Sequence, residues 1–476
     1  MVQRFICAGL IVASAAGYCS GSTPDNYRKY LNDSLPQRWS YPADTGAGVP
    51  AESEDWWGTF NDPALDSLVS MGINNNYNLS MALHRSQIAR NAIGQARAGW
   101  IPSIGLNAGW TKTRESGMLT SPHSHATGMS YFSAGLNASW EIDLFGKIAS
   151  GVKAKKAGYM ASKAEYAGAM VSVCAQIAAT YVEIRMYQEL LDIAQVHTEN
   201  QMKIVNIAKA RFETSLASKL DVAQALETYY STTASIPMLE NSINTSINAL
   251  SVLTGESRER VSAMLSAQPS KMPNPFQMIN TGVPMDLLRR RPDIAQAEME
   301  LAAYAAEIGI AKKDFLPTLT LEGAIGTSTH KAGNLFSNSS FTYSIAPTLS
   351  WTIFDGMSRK YALASARETF MSGIDNYNLT VMNAVAEADN AMSAYVHSLR
   401  HIDALSQVIA QNDEALRLAV ERYKTSLSPM SDVVTAQLNS LAAESELISA
   451  RGSALSALIN LYEALGGGFD ASSLDQ

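Results

Sequence analysis

Residues 374–423 read IDNYNLTVMNAVAEADNAMSAYVHSLRHIDALSQVIAQNDEALRLAVERY, and one spacing runs through them. Ile374, Val381, Ala388, Tyr395, Ile402, Ile409 and Leu416 recur every seven residues, and Val385, Met392 and Leu399 sit four residues after members of that series. Apolar residues at these a and d spacings lay a narrow seam along one face of a helix, the pattern of a coiled coil. No proline interrupts residues 358–423, and the one glycine there is Gly373. The pattern predicts a single helix over 358–423, roughly 95–100 Å long at about 1.5 Å per residue. A rod of that length needs a partner of similar length. Residues 148–212 supply it: Met170, Ile177, Ile184, Leu191 and Val205 keep the same register, with polar Thr198 at the intervening position.

Outward from the rods, the chain repeats itself. Arg211-Phe212 and Thr214-Ser215-Leu216 close the first rod, and Arg422-Tyr423 and Thr425-Ser426-Leu427 close the second. Beyond each end a returning helix is expected. The first starts at Ser218-Lys219-Leu220-Asp221, which has the S-x-x-D form of a capping box, and runs to about residue 253. Asp221-Val222 recurs as Asp432-Val433, and Pro429 after Ser428 suits the start of the second return. Upstream of the rods, Trp100-Ile101-Pro102-Ser103-Ile104 recurs as Phe315-Leu316-Pro317-Thr318-Leu319, and Ser139-Trp140 as Ser350-Trp351. The unit is helix, two strands, very long helix, tip turn and returning helix, present twice.

The strand readings rest on a change of period. Ile104, Leu106 and Ala108 alternate with Gly105, Asn107 and Gly109; Phe132, Ala134, Leu136, Ala138, Trp140 and Ile142 alternate with small polar residues. A polar loop over 111–129 joins them. In the second copy strands are expected at 318–327 and 341–354, with the loop at 328–340. These are membrane-crossing lengths for tilted strands. Four such strands cannot close a barrel, and an open edge in hydrocarbon leaves backbone groups unpaired. Two copies would give eight strands and a filled barrel; three would give twelve and a lumen. A water-soluble coiled-coil spacer capped by a sandwich is the alternative architecture.

Composition narrows the function. The chain has 476 residues, a formal net charge of −8 and 46% hydrophobic residues. The acidic balance and the lack of a basic block argue against nucleic acid. Cys7, Cys19 and Cys174 are the only cysteines, which excludes a disulfide framework. Arg4 and the apolar stretch 5–16 read as a targeting signal, too short to span a bilayer. Cleavage fits after the small residues at 15–17, or just before Cys19, where Tyr18 stands in place of the usual small residue. Residues 20–54 form an extended Pro-, Ser-, Asp- and Gly-rich arm. Trp56, Trp57 and Phe60 follow as an aromatic cluster, and Asp62-Pro63 opens a helix read as continuing to about residue 99. No later stretch has 18 or more uninterrupted apolar residues, so a membrane role would fall to strands or a lipid anchor.

The longer motifs carry a resemblance. Trp56-Trp57-x-x-Phe60-x-Asp62-Pro63-x-Leu65, Ser139-Trp140-Glu141-Ile142-Asp143-Leu144-Phe145-Gly146, Gly282-Val283-Pro284-x-Asp286-Leu287-Leu288-Arg289-Arg290-Arg291-Pro292-Asp293-Ile294 and Trp351-x-Ile353-Phe354-Asp355-Gly356 are similar to those of the outer-membrane efflux protein family. These are the TolC-like channels, and the likeness is to the lipoprotein branch serving RND-type tripartite pumps. It covers nearly the whole mature chain. The resemblance implies an α+β membrane protein: a homotrimer with a 12-stranded β-barrel, four strands per chain, continued by an α-helical coiled-coil tunnel in the periplasm. It implies a passive exit duct that docks with a periplasmic adaptor and an inner-membrane transporter. It also implies lipidation at Cys19, because Pro24-Asp25-Asn26-Tyr27 resembles the arm that follows the lipidated cysteine in this branch. The expected organisation is a signal peptide at 1–18, the arm at 19–55, repeats at 56–275 and 276–467, and a tail at 468–476. The competing reading is a periplasmic adaptor, which would carry one hairpin flanked by compact β-domains.

Candidate sites follow at the tips. Asp221 and Asp432 sit at matching positions just past them, and in a trimer six carboxylates would ring the periplasmic entrance. The plainer reading is a first-turn acid that stabilises a helix N-terminus by about 0.3–1 kcal/mol. Arg211 and Arg422, one turn before the tips, are candidates for pairing across hairpins; the plainer reading is a cation near a helix C-terminus. In many relatives a glycine follows the Arg-Tyr motif where Ser426 stands. No catalytic constellation, cofactor or metal is expected. His123 and His125 lack further ligands, Gly323-Ala324-Ile325-Gly326 lies in a strand reading, and Arg289-Arg290-Arg291 reads as a solvated or ion-paired helix start. Cys174 in the seam reads as a small buried hydrophobe.

Overall fold

The structure is a computed structural model that describes residues 49–50, 55–114, 128–274, 279–280 and 291–469. The targeting signal, Cys19 and its arm, His123 and His125, and Arg289-Arg290 lie outside the described residues. Two compact units divide the chain: one from residues 85–162 and 297–377, the other from the described parts of 26–84, 163–296 and 378–476.

The element order realises the duplicated unit. Helices α1 (Pro63–Asn75) and α2 (Tyr77–Ala98) precede strands β2 (Ser103–Arg114) and β3 (Gly128–Ile142), then α3 (Lys147–Glu213) and α4 (Lys219–Thr254). After the short α5 (Arg258–Ser266), α6 (Pro292–Lys313) precedes β5 (Thr318–Thr329), β6 (Phe341–Ser350), α7 (Ser358–Lys424) and α8 (Met430–Ala464). Strands β1 (Val49–Pro50) and β4 (Ile279–Asn280) form a separate short parallel pair. Both rods run 67 residues, within a residue or so of the spacing-based reading at each end.

Three boundaries differ from the sequence reading. Residues 111–114 and 128–129, read as parts of a polar loop, instead extend β2 and β3, because their backbones continue the ladder from Thr111 opposite Tyr131 to Arg114 opposite Gly128. The helix expected to run from residue 63 to about 99 is two helices, broken at Asn76. The buried Asn76 side chain accepts from the N–H of Asn78 (2.8 Å) and Leu79 (3.0 Å) and donates to Leu253 O (2.7 Å), so it caps α2 and ties the break to α4. The last strand ends at Ser350 rather than 354. Trp351 donates its indole N–H to Phe315 O (3.0 Å), and Arg359 donates to Thr352 O (2.9 Å), which draws 351–354 away from the ladder into the turn before α7.

In the strand-bearing unit, four strands pair antiparallel in the order β2-β3-β5-β6. The register places every apolar series on one face. Leu106 lies opposite Leu136, Leu136 opposite Ile325, and Ile325 opposite Tyr343. Asn107, Gly135, Gly326 and Thr342 fall on the other face with Ser133, Asn137, Glu322 and Ser344. Because side chains two apart share a face, the alternation read from sequence becomes a four-strand apolar surface backed by a polar one. Pro347 is accommodated in β6 because β6 is an edge strand.

The strand-to-helix joints explain two motif residues. Asp143 accepts from the N–H of Ile148 (3.1 Å) and Ala149 (2.9 Å) and from the Trp100 indole (3.4 Å), which caps α3. Burial alone would raise its carboxyl pKa; these donors outweigh it and hold the pKa below the ordinary value. Gly146 and Gly356 both take positive φ at the joints (74° and 67°), a conformation glycine adopts without steric cost.

The helical unit has its main core around Leu65, Leu68, Ile177, Tyr181, Ile184, Leu250, Leu455, Leu458 and Tyr462, all buried. Trp56 stacks on Tyr462 with ring centroids 5.0 Å apart, and Phe60 packs beside it, so the sequence's aromatic cluster is a core element. Asp62 caps α1 through the N–H groups of Ala64 and Leu65 and also accepts the Tyr181 hydroxyl. Buried Arg185 donates to that same hydroxyl (3.0 Å) and to Leu265 O (3.2 Å), linking α1, α3 and α5. Ile374, Val381, Ala388, Tyr395 and Ile402 of the α7 seam are buried. Toward the tip, Ile409 and Leu416 are half-buried. Cys174 is buried as expected. Among the described residues one helix, α3, contains a window apolar enough to cross a membrane, but 56% of that window is buried inside the protein, as in a core helix.

Candidate functional site

The two tips are built from the same backbone device. The N–H of Leu216 bonds Arg211 O (2.7 Å) and that of Ser215 bonds Phe212 O (2.9 Å); at the second tip Leu427 bonds Arg422 O (2.8 Å) and Ser426 bonds Tyr423 O (3.0 Å). This is a Schellman ending, with Ser215 and Ser426 at the left-handed position (φ 59° and 60°). A serine there costs about 1–2 kcal/mol relative to an unstrained conformation. At the second tip the hydroxyl has a use that glycine lacks.

That use comes from Arg211. Its Nη1 donates to Lys424 O (2.6 Å), its Nη2 donates to Ser426 Oγ, and its guanidinium lies over the Tyr423 ring, 4.9 Å from the centroid. A weaker bond from Nη2 reaches Leu216 O of its own tip (3.3 Å). Arg211 of the first hairpin therefore grips the second. Arg422, its counterpart, donates only to Leu427 O of its own tip (3.4 Å) among the described residues, and is exposed.

The aspartates diverge in the same way. Asp221 receives the Ser218 hydroxyl (2.8 Å), Ser218 in turn accepts the Asp221 N–H (3.2 Å), and Tyr423 donates its hydroxyl to Asp221 Oδ2 (3.3 Å). Ser218 thus caps α4, but Asp221 takes its hydroxyl rather than its backbone N–H, so only half of the expected capping box forms; the same acid also holds the other hairpin. Burial, then the Asp221 carboxylate, push the Tyr423 phenol above its ordinary pKa, so it stays a donor. Asp432 is exposed in the first turn of α8, with Pro429 at the N-cap making no side-chain cap bond. The proline expected inside the helix start is one position earlier. At the position matching Tyr423 stands Phe212, which has no hydroxyl to offer Asp432.

Below the tips Ile204, Val205, Ala208, Ala225, Tyr423, Met430 and Val433 form a small core that fixes the two hairpins side by side. The role of Tyr423, Ser426 and the Lys424 carbonyl was not assigned from sequence. The Tyr-for-Phe difference between the copies was the one available signal. Arg291, last of the arginine run, is buried: it pairs with Asp293 (2.6 Å) and Glu387 (2.8 Å) and donates to Ala464 O (3.0 Å). It is an ion-paired helix start. Among the described residues no cluster of three or more His, Cys, Asp or Glu is placed to hold a metal.

The second feature is the sheet. Its apolar face carries exposed Ile104 (72%), Leu106 (74%), Tyr343 (73%) and Ile345 (74%), side chains that a folded protein in water would not leave uncovered together. From Phe132 to Ile142 the face spans eleven residues of β3, about 34 Å along the strand and roughly 24 Å when tilted by about 45°. That is the height of an outer-membrane apolar band.

A family model described as outer membrane efflux protein matches residues 68–256 and 283–467. The chain belongs to the outer membrane efflux protein family. Nodulation protein T of Rhizobium leguminosarum bv. trifolii is 28% identical over 418 residues, 87% of this chain and 88% of that protein. Outer membrane protein OprJ of Pseudomonas aeruginosa is 28% identical over 464 residues, 97% of this chain and 96% of that protein. Among solved structures, the outer-membrane channel OprN superposes with a TM-score of 0.83 at 26% identity, covering 91% of this chain and 97% of that one. This efflux protein is thus an outer-membrane channel component with the fold of the TolC-like channels, and the adaptor reading is set aside.

Proposed function

We propose that three copies close their sheets into a twelve-stranded barrel, continued by the rods and returning helices as a periplasmic tunnel. The observation that carries this is the four-stranded sheet, apolar over one face, with β2 and β6 left as edges. In lipid those edges must be paired, and pairing β2 of one copy with β6 of the next does so for every copy. The polar face, with Gly, Ser, Asn and Thr, then lines a wet lumen. Exposed Leu379, Met382 and Leu418 on α7, and Tyr230, Met238 and Val252 on α4, supply apolar surface for neighbouring copies.

The duct is passive. It carries substrates delivered by an inner-membrane transporter through a periplasmic adaptor, and does no catalysis. Cys19 carries a lipid anchor after removal of residues 1–18, the arm occupies 19–55, the two repeats span 56–275 and 276–467, and 468–476 is a tail. Arg211, Asp221, Arg422 and Asp432 form the entrance gate. Arg211 and Asp221 bind hairpin to hairpin within a copy, while Arg422 and Asp432 present charge to the neighbouring copy. The test is the full-length protein purified from outer membranes and fused into planar bilayers. A heat-sensitive oligomer that conducts ions is expected; a protein that forms neither oligomer nor pore would overturn the reading. For the anchor, the mass of the mature N-terminus is decisive, and an unmodified residue other than Cys19 there would refute it.

A further inference from the structure

On β2 the face that bears Ile104, Leu106, Ala108 and Trp110 continues at Lys112 and Arg114. Both are exposed, and the register sets them opposite Ser130 and Gly128, so no bulky or acidic side chain faces them across the ladder. At the same end of the sheet, two residues past β5, stands exposed Lys331; its neighbour His330 holds Nδ1 2.7 Å from Ser130 O. No Asp or Glu occurs in 107–114, 128–137 or 324–345, and Glu115 is the single acid of 115–127. In a chain of net charge −8, the described residues at this end carry three cations and no acid.

Lys112 and Arg114 follow an aromatic belt on the same face. Trp110 lies opposite Phe132 with centroids 6.4 Å apart, and Phe341 lies 6.3 Å from Tyr343. Lys112 is one same-face step beyond Trp110, about 7 Å along the strand. Apolar band, aromatic rings, then cations is the order of environments met on leaving hydrocarbon: acyl chains, headgroup level, phosphate. Arginine matches a phosphate with two parallel N–H bonds, and lysine adds a point charge. The end concerned is the one remote from the helices, since α2 leads into β2 at Ser103 and β3 leaves at Ile142 toward α3.

We propose that Lys112, Arg114 and Lys331 bind the phosphate groups of a phosphorylated glycolipid in the outer leaflet. The proposal rests on the barrel reading above; three copies would present nine cations around the rim. Each cation near a lipid surface is worth roughly fivefold in affinity, so three in one copy give about a hundredfold.

The test uses the full-length oligomer in detergent, with bisphosphorylated lipid A as probe and fully dephosphorylated lipid A as its control, read by native mass spectrometry. The expected result is tighter retention of the phosphorylated probe by about a hundredfold, weakening as salt rises. K112Q/R114Q/K331Q should lose that preference while oligomer and conductance stay unchanged, and R114Q alone should lose about fivefold. A wild-type protein with no phosphate preference, or a triple variant that keeps it, overturns the proposal. Conductance measured on the same sample tells this failure from failure of the barrel: without a pore, both readings fall.

Discussion

The two hairpin tips share their backbone turn, their Arg-aromatic ending and their following acid, yet only the arginine and the acid of the first engage the other tip. Arg211 takes a carbonyl, a hydroxyl and an aromatic ring from the second tip, whereas Arg422 turns back on its own Leu427. Asp221 receives the Tyr423 hydroxyl; Asp432 receives nothing comparable among the described residues. The asymmetry follows from the Tyr-for-Phe difference and from how the two hairpins pack around Val205, Tyr423 and Val433. Matching motifs therefore do different work within the chain: Arg211 and Asp221 tie tip to tip, whereas Arg422 and Asp432 stay exposed.

Arg211→Ala removes two charge-assisted hydrogen bonds and a ring contact from a partly exposed site, and should destabilise the tip pair by about 2–3 kcal/mol. Hydrogen exchange of the amides in 213–222 and 424–433 would report it; unchanged protection would mean the contacts carry no energy. Tyr423→Phe deletes one neutral-to-carboxylate bond and should cost about 1–2 kcal/mol by the same readout, making the second tip resemble Phe212 at the first. Ser426→Gly relieves the left-handed strain but loses a hydroxyl partner of Arg211, so the two effects should nearly cancel, within about 1 kcal/mol. Ser215→Gly, where no cross-tip bond is at stake, should instead stabilise. Arg422→Ala should change the protection of a single chain least, by under about 0.5 kcal/mol. An effect as large as that of Arg211→Ala would mean the asymmetry is not real.

Much of the architecture was legible in the residues. A heptad series without proline, such as Ile374 to Leu416, admits little besides a long helix, and the two-residue alternation around Leu106 and Leu136 fixed which side chains share a face. Asn76 escaped because the helical pattern continues on both sides of it, and its capping role depends on Leu253, far along the chain. The end of β6 escaped because Trp351, Ile353 and Phe354 are as apolar as the strand before them, while a hydrogen bond to Phe315 draws that segment out of the ladder. At the tips the sequence offered two equivalent arginines. Which one crosses is decided by the packing of the hairpins around Val205, Tyr423 and Val433, a tertiary fact with no local signature.

Single-channel conductance of the wild-type oligomer against Arg211→Ala/Tyr423→Phe, in one planar-bilayer preparation, tests the gate most directly. The account predicts a low-conductance wild type and a double variant that conducts several-fold more, with the same heat-sensitive oligomer on gels. Equal conductance from two intact oligomers would contradict it: the cross-tip bonds would then cap helices without closing the channel.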